Sequence, residues 1–278
     1  MAKIYHKHRY HGAKLLGRKV LRKLVSGSKP LVFVLSGVYL MLPWLRQMAP
    51  QRPVLLGIAV LSIPCALVWR AQARKLAAAM DIMAAGHDGE GRVAKLLAKL
   101  PRDWVVLNNL ALRAGGPIAQ IDHLVISPSG VFVLETKAQK GKIIPSSKGN
   151  WQVERRGRIR NIANPVEQNR AQVKACQLLL ERLKPGLDCR GIVVMTEAMA
   201  VADWPIVAAS DLCQRLLAEN ASRKPVLCID EIRNLAKGFM TFQVAGKARW
   251  QKENRYLLSF VLTVVLPLFL FTAVMLLA

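Results

Sequence analysis

Apolar and polar positions along this chain fall into two regimes. In three stretches the apolar residues run on without a charge: Pro30 to Leu45, Pro53 to Trp69, and Tyr256 to Ala278. Between residues 86 and 245 they recur with a period instead. Val93, Leu96, Leu97 and Leu100 lie at i, i+3, i+4 and i+7, the spacing of a helix with one buried face. Residues 103–112, DWVVLNNLAL, predict a strand. Residues 121–127 and 131–137 predict two more, joined by the turn residues Pro128-Ser129-Gly130. Trp151 sits in a short strand context. Asn164-Pro165 opens a helix to about Leu183, with proline at its first position. The β-branched run Gly191 to Thr196 predicts a buried strand, and 206–209 a shorter one. Ser210-Asp211 caps a helix through Leu217, and 230–242 forms the last helix. The pattern is that of an α/β domain.

The apolar runs predict membrane spans. Residues 30–70 read as a helical hairpin in the bilayer, its two arms joined by a short link with two prolines. A re-entrant or buried hairpin is the competing reading. The 23 uncharged residues 256–278 form the strongest span. Pro267 within it is tolerable in lipid. Trp44 and Trp69 end the first two runs, where interfacial aromatics belong. The Ala-rich segment 71–85 is a helical linker that stops at Gly86, and His87-Asp88-Gly89 resets the chain before the next helix.

Charge then adds orientation. The formal charge is +24, from 41 basic and 17 acidic residues, beside an apolar content of 53%. That combination points to lipid-buried segments plus basic surface that meets phosphates, of lipids or of nucleic acid. Nine basic residues and no acid lie in 1–29, a basic arm on anionic lipid, a topology signal, or a nucleic-acid arm. Positive charge concentrates before the first span, after the second and before the third. The expected location is therefore a bacterial inner membrane, with the N-terminus and residues 71–255 cytoplasmic and Ala278 on the far side. The five cysteines form no CxxC pair, so no zinc module or disulfide framework is readable.

The candidate chemistry lies on the 121–137 hairpin. If its turn centres near Ser129, Asp122 lies opposite Glu135 or Thr136. In the first register the two carboxylates share a face, and Lys137 joins them two residues on. Two such carboxylates repel unless a cation sits between them. Oxygen ligands suit Mg²⁺ or Mn²⁺, which polarises a phosphoryl oxygen and acidifies bound water. A neighbouring ammonium can offset charge developing on phosphorus. On this spacing alone a surface salt-bridge cluster stays ahead. Arg155, Arg156, Arg158 and Arg160 are candidates for phosphate contacts, or equally for a solvated edge that guards against aggregation. His123, next to Asp122 on the strand, points to the other face.

The motif order adds a resemblance. Gly89-Glu90-Gly91 opening a helix, Gln120-Ile121-Asp122-His123, Gly130 to Lys137 ending in Glu-Thr-Lys, Gly141, Trp151 and Asn164-Pro165-x-x-Gln168 resemble the nuclease-related domain, the NERD family of PD-(D/E)xK nucleases. The likeness covers roughly residues 86–200. It implies a restriction-endonuclease-like core, a central mixed sheet flanked by helices. It implies Asp122, Glu135 and Glu90 as metal ligands, Lys137 as the catalytic lysine and Gln168 near the site. Related RecB-like nucleases carry a tyrosine four residues after that glutamine, where this chain has Gln172. The expected function is metal-dependent phosphodiester hydrolysis of nucleic acid, DNA before RNA, at the cytoplasmic membrane face. The rival is a catalytically silent module that holds nucleic acid or a protein there. A transport role is weak, because no span carries a charge to mark a polar pathway.

Overall fold

The computed structural model describes residues 2–5, 70–71, 74, 77–78, 81–146, 149–197 and 205–244. The spans expected at 30–45, 53–69 and 256–278, and most of the basic arm, lie outside the described residues. Among the described residues no helix is long and apolar enough to cross a membrane. The chain divides into two compact units: residues 1–8 with 85–248, and residues 9–84 with 249–278. The first holds the α/β fold.

A six-stranded mixed sheet runs in the order β1-β2-β3-β4-β8-β9. Its strands are β1 (Lys3–Tyr5), β2 (Val105–Leu112), β3 (Ala119–Ser127), β4 (Gly130–Lys137), β8 (Cys189–Met195) and β9 (Ile206–Ala208). The pairs β2·β3 and β3·β4 are antiparallel; β1·β2, β4·β8 and β8·β9 are parallel. A smaller antiparallel sheet holds β5 (Lys142–Ile144), β6 (Trp151–Arg155) and β7 (Arg158–Ile162). Residues 81–97 are helical, and residues 85–97 of this helix, α1, belong to the first unit. The other helices are α2 (Pro165–Leu183), α3 (Leu212–Ala221) and α4 (Ile229–Thr241).

Alternation along the strands places helices on both faces of the large sheet. Leu124, Ile126, Val131 and Val133 pack with Cys176, Leu179 and Leu180 of α2 and Ile232, Leu235 and Phe239 of α4. Their neighbours Val125, Phe132, Leu134 and Val194 pack on the opposite face, with Val93 and Leu97 of α1 and Leu212 and Leu216 of α3. Each such fully buried side chain contributes about 1.5–3 kcal/mol of transfer free energy. The small sheet buries Trp151 and Val153 against Val193 and Met195, beside the C-terminal ends of β4 and β8.

Three elements differ from the pattern-based expectation. The helix is not broken at 86–89. Glycine at a helical position costs only about 1 kcal/mol, and the packing of α1 offsets it. Asp211 adopts αR backbone and makes no side-chain capping bond, and α3 runs on to Ala221. Residues 3–5, read as part of the basic arm, instead add a parallel edge strand to β2.

Candidate functional site

Strands β3 and β4 pair from Ser127↔Gly130 up to His123↔Leu134, and there the pairing stops. Beyond that point Ala119 to Ile121 pair with β2 alone, and Glu135 to Lys137 pair with β8 alone. The sheet forks. One step past the last pair, Asp122 and Glu135 stand opposite each other at the split, as the first of the two registers requires. The fork leaves β4 N–H groups without a ladder acceptor, and a buried N–H needs a partner. Asp122 supplies one: its Oδ2 accepts from the Thr136 amide at 2.9 Å. On the other side of Asp122 the β2·β3 ladder skips Asn109, which takes a left-handed φ of 56°. Asparagine tolerates that conformation better than most residues.

Glu135 is 3% exposed, and both of its oxygens are engaged. Oε1 meets the Lys137 ammonium at 2.6 Å, and Oε2 accepts from Gln172 Nε2 at 2.5 Å. Lys137 also donates to Gln168 Oε1 at 2.8 Å. Gln168 and Gln172 are one helical turn apart on α2, so both face the fork. The helix comes this close because β8 carries Gly191. A Cβ there would fall on Asn169 Oδ1 and lie 2.9 Å from Val173 Cγ2. Asn169 uses the space to donate to the Val133 carbonyl at 3.1 Å and to Gln172 Oε1 at 3.2 Å. Asn164 starts the helix, its Oδ1 accepting from the amides of Val166 at 3.0 Å and Glu167 at 3.4 Å.

Glu90 approaches from the other helical layer. Gly89 of α1 lies against the ends of β4 and β8: a Cβ there would be 2.9 Å from Ala138 Cβ and 3.3 Å from Thr196 Oγ1. That contact brings the next residue, Glu90, to the fork. Its Oε2 stands 3.6 Å from His87 Nδ1. Burial pushes the Asp122 carboxyl well above its ordinary value. The charges of Glu135 and then Glu90 push it further, against the Thr136 hydrogen bond and Lys137. Asp122 thus senses both acids.

The donor set fits a hard divalent cation. The oxygens are carboxylates, and the like charges that raise Asp122 are the repulsion such an ion would relieve. Asp122 and Glu135 would hold it, with Glu90 reaching in from α1. Among the described residues, however, no three His, Cys, Asp or Glu side chains stand in a ready ligating cluster. The Lys137 and Gln172 contacts to Glu135 are consistent with that.

The arginines lie on the β6·β7 hairpin. Its turn is Arg156-Gly157, both at positive φ (53° and 70°), as a two-residue type I′ turn requires. The register pairs Arg155 with Arg158 and Val153 with Arg160, so Arg155, Arg158 and Arg160 share one face. That face continues the side on which Trp151 and Val153 are buried. All four arginines are exposed. Arg160 donates to Gln139 Oε1 at 2.8 Å, two residues past Lys137, which ties the basic hairpin to the site's edge. His123 is buried, its Nδ1 2.6 Å from Asn108 Oδ1, and stays off the carboxylate face.

Three participants had no role assigned from the sequence: Gln172, Asn169 and the Gln120 carbonyl, which accepts from Gln172 Nε2 at 2.8 Å. The i, i+4 spacing of Gln168 and Gln172 was the available signal. It becomes informative only once α2 is known to cross the fork.

Comparison with known proteins places a nuclease-related domain at residues 85–196. An uncharacterized protein of Bacillus anthracis is 38% identical over 103 residues, which is 36% of this chain and 49% of that protein. The chain thus spans about half the length of this curated relative. No solved structure matches.

Proposed function

We propose that the nuclease-related domain of this chain hydrolyses phosphodiester bonds of nucleic acid, DNA before RNA, with Mg²⁺ or Mn²⁺, on a restriction-endonuclease-like core. The observation that carries this reading is the fork, where Asp122 and Glu135 oppose each other beside Lys137 and within the electrostatic reach of Glu90. When bound, the metal would polarise a phosphoryl oxygen and lower the pKa of a water. The remaining work falls to the chain. Asp122, Glu135 and Glu90 would hold the ion. Lys137, steadied by Gln168, presents its ammonium where negative charge develops on the phosphate. Arg155, Arg156, Arg158 and Arg160 hold the backbone of the substrate through phosphate contacts that carry no sequence information.

The second reading is a silent module that binds nucleic acid or a protein with the same fold. One observation favours it: both Glu135 oxygens are already satisfied within the protein. Thermal melts of the purified full chain separate the two. The hydrolase reading expects Mn²⁺ to raise the melting temperature of the wild type and to leave Asp122→Ala unmoved. The module reading expects salt-sensitive nucleic-acid binding with no response to the metal.

Membrane attachment through 30–70 and 256–278, with the domain on the cytoplasmic face, is a separate part of the proposal. It rests on the uncharged runs and their basic flanks. Carbonate extraction of cell membranes tests it: the full chain should stay in the pellet, and a chain recovered in the supernatant contradicts it.

A further inference from the structure

We infer that Gln172 is a positioning residue that clamps the fork and fixes which oxygen of Glu135 faces the site. This inference rests on the metal-dependent reading above and extends it to a residue that neither the hairpin motif nor its spacing marks. The two prongs of the fork share no backbone ladder beyond His123↔Leu134. Gln172 joins them. One N–H of its carboxamide goes to the Gln120 carbonyl on β3 at 2.8 Å, the other to Glu135 Oε2 on β4 at 2.5 Å.

The amide can sit only one way round. Both partners of Nε2 are acceptors, and Oε1 faces the Asn169 amide, which is itself held by the Val133 carbonyl. Every polar atom of the Gln172 carboxamide is thereby used, in a residue 5% exposed. A network satisfied to this degree holds its members in a single geometry. With Oε2 held by Gln172, Oε1 is the oxygen Glu135 presents toward Lys137. Residues that orient a ligand in this way are typically worth about 10–100-fold in metal affinity.

The test uses the purified full chain, wild type, Gln172→Leu and, as a control on the same helix, Gln177→Leu. Gln177 makes two comparable hydrogen bonds, to Glu181 Oε1 and the Leu187 carbonyl, away from the fork. Two quantities are read: the Mn²⁺ dissociation constant by calorimetry, and metal-free hydrogen exchange of the Thr136 amide. Gln172→Leu should weaken Mn²⁺ by about 10–100-fold and speed Thr136 exchange by roughly tenfold or more, while Gln177→Leu changes neither. If Gln172→Leu binds Mn²⁺ as tightly as wild type, the inference falls and the metal reading survives. If wild type binds no Mn²⁺, the metal reading falls and takes the positioning role with it. Unchanged Thr136 exchange overturns the clamp whatever the metal does.

Discussion

Replacing Gly191 by alanine should damage the site from a distance, because α2 is held against the sheet through that glycine. The new Cβ would occupy the position of Asn169 Oδ1 and press on Val173 Cγ2 at 2.9 Å. Overpacking of this kind costs about 1–3 kcal/mol. Expelling the Asn169 carboxamide also removes its hydrogen bond to the Val133 carbonyl, which keeps its ladder partner on β8, a loss of about 0.5–1.5 kcal/mol. Alanine returns about 0.5–1 kcal/mol through its lower backbone entropy in the unfolded chain. The net loss centres on about 2 kcal/mol, or roughly 4–8 °C in melting temperature for a domain of this size. The assay is a double-mutant cycle by denaturant unfolding of Gly191→Ala, Asn169→Ala and the pair. Asn169→Ala already removes the hydrogen bond and opens the space, so the double variant should be no less stable than Asn169→Ala by more than about 1 kcal/mol. Additive losses would refute the argument, since they would mean that the glycine and the asparagine do not share the same space.

The other predictions bear on charge. Asp122→Asn keeps an oxygen for the Thr136 amide and removes the buried carboxylate, so metal-free protein should become more stable at neutral pH. The folded Asp122 holds a proton that the unfolded chain releases near its ordinary value of 3.8. Wild-type stability should therefore fall as pH rises from there through the raised folded pKa, and the fall should be shallower in Asp122→Asn. Melts between pH 4 and pH 8 check this, and a variant less stable than wild type at pH 7 contradicts it. Replacing Arg155, Arg158 and Arg160 together by alanine should lower the slope of log K against log salt by about 2–3 for duplex DNA, read by fluorescence anisotropy in EDTA. An unchanged slope would assign these side chains to a solvated edge.

The hairpin was legible because its turn residues and alternation leave only two registers, and the structure takes the one that puts Asp122 opposite Glu135. The fork was not legible. It depends on a side chain, Asp122 Oδ2, replacing a backbone acceptor for Thr136, and no periodicity records that exchange. The close approach of both helices was only half visible. Gly89 read as part of a reset between two helices, whereas it is the contact that lets α1 reach the ends of β4 and β8. Gly191 read as one residue of a buried strand, yet the missing Cβ is what admits Asn169 and brings Gln168 and Gln172 to the site. Position 172 read as a departure from a tyrosine pattern. Its carboxamide instead makes contacts that a phenol could not reproduce, since it donates twice and accepts once. The strand Lys3–Tyr5 left no signal, because three residues are too few to show a period.

The central claim is that the fork is a working metal-dependent site. It is tested most directly by incubating the full chain with duplex DNA in Mn²⁺ or EDTA, for wild type and Lys137→Met. The account predicts cleavage by wild type in Mn²⁺, none in EDTA, and a rate lower by about 10²-fold or more in Lys137→Met. Cleavage by Lys137→Met at the wild-type rate would contradict it, as would intact DNA under conditions where a control nuclease cuts.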